Sequence, residues 1–361
     1  MARLTETAPT VRQLVDMSRT RVSVAMATYN GERFLREQLE SILFQTLLPS
    51  EIVISDDRST DSTLSIVRDV LTEDICRSKG ISLTIQVNEK NLGPGKNFQR
   101  AISLCTAEII ALADQDDVWF PQKLEVLVGM LDEDRSLLLV HSDARLIDAR
   151  GQKMSLALSQ GLGITPSEKR AIESANSLPA ILKRNLVTGT TAVFRKELGE
   201  LAFQDATIDL HDGRLALVAS LMDSLRFSPE ELVGYRQHDG NQIGGKPLGF
   251  LDTVVALLKS WLDLTDVLRQ RNSELIALLD QLGDRVPESN RALVASRIAH
   301  NSWRIALPKT RFLRIWPVLW GALRGRYQRF GRFPHDMTRD LLMPPNEVLL
   351  GLVQRMASRN T

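Results

Sequence analysis

Cysteine is almost missing from this sequence. Cys76 and Cys105 are the two in 361 residues, each in a segment that reads as helix, and their spacing supplies neither a disulfide framework nor a zinc site. A reducing, cytoplasmic setting is the simplest expectation. No run of about 18 apolar residues occurs, and the early charges Arg3, Glu6 and Arg12 leave no signal-peptide core. Neither a membrane span nor secretion by that route is expected. A surplus of one charge is missing too, since 45 basic and 44 acidic side chains leave a formal net charge of +1. That balance excludes a surface that is basic all over and traps nucleic acid; any basic patch must be local. What remains is a chain with 43% hydrophobic residues, enough to fill the core of one catalytic domain and leave an appended segment.

The pattern along the chain is strand, turn, helix, repeated. Residues 1–20 lack steady periodicity and read as a flexible lead-in. Arg21 to Thr28 is a short strand ending in Tyr29-Asn30-Gly31, and Glu32 to Thr46 then places Phe34, Leu35, Leu39, Ile42 and Leu43 at helical spacing. Glu51 to Ser55 is a strand, Asp56-Asp57-Arg58-Ser59 a turn, and Thr60 to Val70 a helix. Ile81 to Val87 alternates as a strand, Gly93-Pro94-Gly95 breaks the chain before an amphipathic helix, and Glu108 to Ala113 is a continuous apolar strand. This alternation predicts an α/β fold, a mostly parallel sheet flanked by helices, with ligands beyond the carboxyl ends of the strands. Four polar clusters fall at those ends: Tyr29-Asn30, Asp56-Asp57, Asn88 to Asn91, and Asp114 to Asp117.

From about residue 137 the pattern loosens. Leu137 to His141 reads as a strand, Ser155 to Ser174 as mostly loop, and Asn176 to Lys183 as a short helix. Val187 to Arg195 is strand-like, His211 to Leu221 a helix, and Leu232 to Ile243 a strand running into a polar loop. Gly244-Gly245-Lys246-Pro247 marks a boundary. Beyond it Leu251 to Leu268 and Asn272 to Leu282 carry apolar residues at spacings of three and four, so residues 246–361 read as a helical extension.

Acids in the order Asp114-Gln115-Asp116 at a strand end offer hard oxygen ligands suited to Mg2+ or Mn2+ held together with phosphate. In an extended segment, alternate side chains share a face, so both carboxylates could serve one ion. The same acids could instead cap the helix that starts near Pro121. Asp56-Asp57 could also be a helix cap, a role open to Ser59 and Thr60.

Four motifs then carry a resemblance: Ala27-Thr28-Tyr29-Asn30-Gly31, Ser55-Asp56-Asp57-Arg58-Ser59-Thr60-Asp61, Asn91-Leu92-Gly93 and Ala113-Asp114-Gln115-Asp116-Asp117-Val118-Trp119. Together, and in this order over roughly residues 21–245, the chain resembles the family 2 glycosyltransferases. The resemblance implies the GT-A fold, with a nucleotide-sugar-binding half over 21–120 and an acceptor-binding half over 121–245. It implies that Tyr29 and Asp57 hold the base with Asp56 nearby, and that Asp114 supports the ribose and metal region. Asp116 becomes the direct metal ligand, with Asp114 and His238 as the other candidates. Thr28, Asn30, Glu32, Asn91, Gly93, Lys96 and Gln115 belong to the same nucleotide-sugar site.

Sugar transfer needs a base to take the acceptor proton. Leu210-His211-Asp212-Gly213-Arg214 resembles the family's acidic motif at a helix start, which makes Asp212 the catalytic base of an inverting reaction, with Asp209 as a rival. A carboxylate at a helix N-terminus is stabilised in its charged form. Many relatives show an aromatic pair directly after this His-Asp; Gly213 and Arg214 stand there instead, which puts the acceptor preference in question. Tyr235-Arg236-Gln237-His238-Asp239-Gly240-Asn241-Gln242 resembles the family's closing loop, so that Arg236 and His238 could donate to the diphosphate. Thr188-Gly189-Thr190 matches the acceptor side, as does His211, although an ordinary glycine turn and a structural histidine remain open.

Between Asn301 and His335 there are eight Lys or Arg residues and no Asp or Glu, together with Trp303, Trp316 and Trp320. Arginine mixed with tryptophan and aliphatics suits a helix lying on an anionic membrane surface. The alternative is an apolar face packed on the catalytic domain or a second subunit while the arginines stay solvated. Pro308 and Pro317 are expected to split the stretch into two or three short helices. The reading as a whole is a metal-dependent glycosyltransferase of bacterial surface-polysaccharide type acting on a glycan or lipid-linked glycan. Asp114-Gln115-Asp116-Asp117-Val118-Trp119 together with Tyr235-Arg236-Gln237-His238-Asp239-Gly240-Asn241 most resembles the rhamnosyltransferase-like bacterial members of the family, which implies dTDP-rhamnose as the first donor, or a UDP-sugar. A nucleotidyltransferase is the second enzymatic reading, although Tyr29-Asn30-Gly31-Glu32-Arg33 is not that class's basic, glycine-rich loop; a catalytically silent binding scaffold is the third reading.

Overall fold

A computed structural model describes residues 21–204, 211–238, 264–308 and 310–342. The lead-in over 1–20, Asp209, the loop and boundary over 239–247 and the expected helix over 251–263 lie outside these residues. The first part alternates as its hydrophobic pattern demands: β1 Val22–Thr28, α1 Leu35–Leu43, β2 Glu51–Asp56, α2 Thr63–Val70, α3 Glu73–Lys79, β3 Ser82–Val87, α4 Pro94–Leu104 and β4 Ile109–Ala113. These four strands are parallel in the order β3-β2-β1-β4. The register pairs Thr28 with Asp56, Asp56 with Val87, and Met26 with Ala113, so all four strands end along one edge. β2 and β4 are buried along their whole length, and β1 nearly so, as expected of parallel strands covered on both faces. Leu35, Leu39 and Ile42 of α1, and Phe98, Ala101 and Ile102 of α4, are among the residues that supply that cover.

The chain continues through β5 Val118–Trp119, α5 Lys123–Glu133, β6 Leu139–Ile147, β7 Lys153–Ala157, α6 Leu158–Gly161, α7 Pro166–Glu173 and α8 Leu178–Ile181. A 3-10 turn at Gly189–Thr191, β8 Ala192–Arg195, α9 Lys196–Phe203, α10 His211–Leu221 and β9 Leu225–Arg236 follow. Here the sheet turns antiparallel: β8 pairs with β4 (Phe194 opposite Ile110) and with β6 (Val193 opposite Val140), and β9 with β5 (Gly234 opposite Val118). Among the described residues nine strands form one sheet, in the order β3-β2-β1-β4-β8-β6-β9-β5 with β7 on β6.

Two compact units divide these elements. One holds the described residues up to Arg145, with Thr188–His211 and Ser228–Tyr235; the other holds Leu146–Val187, Asp212–Phe227 and the described residues from Arg236 onward.

Residues 155–174 are not mostly loop. They contain the end of β7, α6 and α7, and α7 buries only Ile172, which is why no apolar stripe betrays it. Its stability comes from its cap and a clamp instead. Thr165 Oγ1 accepts from the Glu168 N–H at 3.2 Å, Glu168 returns a bond to the Thr165 N–H at 2.9 Å, and Arg184 pairs with the same carboxylate at 2.9 Å. Burial raises the Glu168 pKa, but the Arg184 and Thr165 bonds outweigh it and hold the carboxyl down at about 2. β9 likewise starts at Leu225, ahead of the expected Leu232. The polar run Ser228-Pro229-Glu230-Glu231 hid it, and Glu231 pairs with Arg145 of β6 at 2.8 Å.

The C-terminal helices are α11 Leu264–Leu282, α12 Glu288–Ile305, α13 Arg311–Leu323, α14 Arg326–Phe330 and α15 His335–Leu342. α11 runs unbroken where a gap at 269–271 was expected. Pro317 does not split its segment either, because it lies inside α13. Nor are all the arginines solvated: Arg304 donates to both carboxylate oxygens of Asp340 at 2.7 Å, and Arg314 donates to the carbonyls of Pro308 and Asp340. The acids that balance this stretch stand just beyond it in sequence, at Asp336 and Asp340. Around them His300, Trp303, Tyr327 and Phe330 form an aromatic cluster.

Candidate active site

Strand ends in the first unit are tied to one another through side chains. Asp56, fully buried at the end of β2, accepts from Thr28 Oγ1 and Ser59 Oγ at 2.7 Å and from the Ser59 N–H at 2.8 Å. Asp57 accepts from the Leu92 and Gly93 N–H groups at 2.8 Å and from Asn88 Nδ2 at 3.1 Å. Its carboxylate therefore fixes the Asn91-Leu92-Gly93 loop that leads into α4. Gly93 sits at φ +80°, a left-handed conformation open to glycine at little cost. Asn91 accepts from the Gly93 N–H, and Lys96 is exposed in the first turn of α4.

Tyr29 stands half-exposed beyond β1. Asn30 takes a left-handed backbone at φ 47°, held as its N–H donates to Ser59 Oγ and its Oδ1 accepts from the Thr60 N–H, both at 2.9 Å. Glu32 accepts from the Ser62 N–H at 3.0 Å, while its own N–H donates to Asp61. Burial raises the Asp61 pKa, but bonds from Thr63 outweigh it and the carboxyl titrates below the usual range.

The acidic loop is bent rather than extended. β4 stops at Ala113, Gln115 and Asp116 form a bend, and chain direction resumes at β5. The physical cause is Gln115, whose Oε1 accepts from the Tyr29 N–H at 2.9 Å while Nε2 donates to the Tyr29 carbonyl at 3.1 Å. Alternation along a strand therefore does not describe Asp114 and Asp116. Both are partly buried, whereas Asp117 is buried. α1 holds the next segment: Ser41 Oγ accepts from the Trp119 N–H at 3.0 Å, Gln45 bonds the Phe120 carbonyl and the Leu124 N–H, and the Thr46 N–H donates to the Pro121 carbonyl.

Lys123 escaped the sequence reading. Fully buried, it donates from Nζ to the Thr190 carbonyl at 2.8 Å and lies 3.1 Å from the centre of the Trp119 ring. Burial pushes its pKa well down, and Asp117 and Asp114 pull it partway back. The sequence signal available was a lysine at an inward position of an apolar helix, two residues after Pro121. Asn88 and Asn97 were also missed as a pair: Asn88 Nδ2 donates to Asn97 Oδ1, and Asn97 Nδ2 to the Thr28 carbonyl. On the expected acceptor side, Thr188 accepts from Thr191 and leads into the 3-10 turn at Gly189. His211 stacks on Phe98 with ring centres 4.0 Å apart, and burial of the ring pushes its pKa down to about 4.

In the second unit, Asp212 is buried in the first turn of α10 and accepts from the Gly213 N–H at 2.6 Å. Arg236 is buried and donates to the Asp148 carbonyl at 3.4 Å; His238 is half-buried at the last residue described before 264. Among the described residues no three His, Cys, Asp or Glu side chains gather closely enough to hold a metal ion by themselves.

Residues 23–198 match the family described as Glycosyl transferase family 2. The dTDP-rhamnosyl transferase RfbG of Shigella flexneri is 39% identical over 109 residues, 29% of this chain and 36% of that protein. An uncharacterised glycosyltransferase of a Nostoc species is 26% identical over 224 residues, 61% of this chain and 66% of that protein. The matches thus span under two thirds of these curated relatives. Among solved structures, S. aureus TarS 1–349 in complex with UDP-GlcNAc shares the fold, with a TM-score of 0.52 at 20% identity over 78% of this chain and 72% of that one. The fold is thus GT-A, and the match to family 2 glycosyltransferases spans residues 23–198, just under half of the chain.

Proposed function

We propose that this protein transfers a sugar, rhamnose first among the donors, from a nucleoside diphosphate to a hydroxyl of a glycan or lipid-linked glycan in bacterial surface-polysaccharide synthesis, with inversion. Residues 21–245 form the catalytic region and 246–361 the extension. The observation that carries the reading is the edge where four parallel strands end, with Tyr29 bonded to Gln115 between Asp114 and Asp116, and Asp57 bonded to the 91–93 loop. RfbG supports rhamnose through a shared segment of 109 residues.

In this reading Tyr29 offers its ring to the base, and Asp57 acts by holding the 91–93 loop, since its oxygens are occupied by backbone N–H groups. The Asp114 and Asp116 carboxylates are hard donors that fit Mg2+ or Mn2+; with few protein ligands available, a cation here would complete its shell with diphosphate oxygens and water. When bound, such an ion would supply positive charge to the leaving diphosphate. Asp212 accepts the proton of the acceptor hydroxyl as that oxygen attacks the anomeric carbon and the bond to the diphosphate breaks, one displacement that inverts the centre. Arg236 and His238 donate to the departing phosphates.

A panel of nucleotide sugars, assayed for transfer and donor hydrolysis with and without Mn2+, tests the reading. Transfer that Asp116→Ala and Asp212→Asn each abolish is the expected result, with nucleotide binding weakened only by the first. Near-normal turnover by Asp212→Asn removes the base assignment, and nucleotide binding without any turnover favours a silent scaffold.

A further inference from the structure

Helix α13 carries its apolar side chains outward. Phe312 is 83% exposed, Leu323 80%, Trp316 71%, Leu313 66% and Trp320 47%. Phe312, Trp316, Leu319 or Trp320, and Leu323 follow one another at three- and four-residue steps, which makes one stripe along the helix. The inward side is the one that holds the charge. Arg314 and Val318 are buried, and Gly321 packs so closely on Trp303 that a Cβ there would meet the indole at 2.5 Å. A surface helix of a water-soluble domain has the opposite arrangement.

The sequence around the stripe carries one sign of charge. Arg324, Arg329 and Arg332 are exposed, the Arg324 guanidinium lies 4.6 Å from the Trp320 ring centre, and residues 301–335 contain no acid. At 13 residues the helix is too short to cross a bilayer, which takes about 20. No described helix is long and apolar enough to do so.

We propose that α13 lies in the surface of an anionic lipid bilayer, with its outward stripe among the upper acyl chains and its arginines on headgroup phosphates. Tryptophan suits the headgroup level, and basic residues around an apolar face add attraction to anionic lipid. A second copy docking through the same face would carry Arg324, beside Trp320, into the contact from both sides, which is unfavourable in a two-fold interface. The proposal goes beyond sugar transfer and stands without it: it fixes where the protein works, at the plane where a lipid-linked acceptor would present its sugar.

Vesicle sedimentation of the full chain tests it, comparing phosphatidylglycerol/phosphatidylcholine vesicles with pure phosphatidylcholine at low and high salt. Binding is expected to the anionic vesicles and to fall with salt. The triple variant F312S/W316S/L323S, which alters exposed positions only, should lose at least about tenfold in affinity with circular dichroism and urea midpoint unchanged. R324Q/R329Q/R332Q should lose the salt dependence. Failure of the full chain to sediment, equal binding to neutral vesicles, or undiminished binding by the serine variant each overturns the proposal. Dimerisation that the serine variant abolishes, without lipid binding, assigns the stripe to a second copy and overturns it too.

Discussion

The carboxamide of Gln115 pairs with both backbone groups of Tyr29, accepting from its N–H and donating to its carbonyl. A side chain thus continues the hydrogen bonding of β1 and β4 past the point where both strands stop. Gly31 is part of the arrangement, since a Cβ there would sit 2.3 Å from Gln115 Oε1. Gly31→Ala is therefore expected to displace the carboxamide, and Gln115→Ala to remove it. Each should weaken nucleoside diphosphate binding about tenfold, the worth of one or two net hydrogen bonds. Calorimetric titration of the double variant should give less than the sum, because both changes act through one group.

Lys123 joins the acidic loop to the Thr190 segment from beneath. Lys123→Met keeps the length of the side chain but leaves the Thr190 carbonyl without this donor, a loss of about 1–3 kcal/mol readable in urea unfolding. If residues 188–190 serve the acceptor, transfer should fall further than donor hydrolysis. Equal losses in the two rates would detach that segment from the acceptor.

Acid should destabilise the fold through three buried imidazoles. Burial pushes the pKa of His141 and His300 down to about 3 and that of His211 to about 4; beside His300, Arg304 and Arg297 lower it further and Asp336 opposes them. Near pH 5 the unfolded chain binds protons that the folded chain refuses, so stability is complete above about pH 6.5 and declines as pH falls toward those depressed values. Among the described residues neither ring nitrogen of His300 has a hydrogen-bond partner, and its ring lies among Trp303, Tyr327 and Phe330. His300→Phe should therefore fold and reduce the acid slope of the urea-unfolding free energy by about 1.4 kcal/mol per pH unit. An unchanged slope would show that His300 protonates without cost.

Asp340 receives Arg304 through two bonds and the Tyr327 hydroxyl through a third, all at 2.7 Å and all buried. Asp340→Ala strands the Arg304 charge in that interior, with Asp336 opposite it at 3.6 Å. A loss of about 3–5 kcal/mol is expected, measured as a shift in the unfolding transition. Burial and the Asp340 carboxylate together raise the Tyr327 pKa beyond the usual tyrosine range, so its phenol should resist spectrophotometric titration until the protein unfolds.

The parallel half was legible because each strand is a short apolar run and each helix a periodic one, with polar residues at every junction. Asp56 and Asp57 were singled out by position, yet sequence could not tell that one closes on Thr28 and Ser59 and the other on a backbone loop. α7 and the start of β9 were hidden because capping and the Arg184–Glu168 and Arg145–Glu231 pairs hold them, and such long-range partners leave no period to read. Lys123 stayed unnoticed for the same reason: its partner Thr190 is 67 residues away. In the C-terminal helices the acid-free stretch was plain, but which arginines turn inward depends on Asp340, outside that stretch.

The cross-links among the strand-end loops have a thermodynamic consequence. Tyr29, Asn30, Asp57 and the 91–93 segment are fixed by the protein's own bonds, so their conformational entropy is lost when the chain folds. On the proposed reading, a nucleotide arriving at this edge would meet preorganised groups, and more of its contact energy would appear as affinity. Loosening any one tie then acts at a distance, returning freedom to a loop that need not touch the ligand through the altered residue.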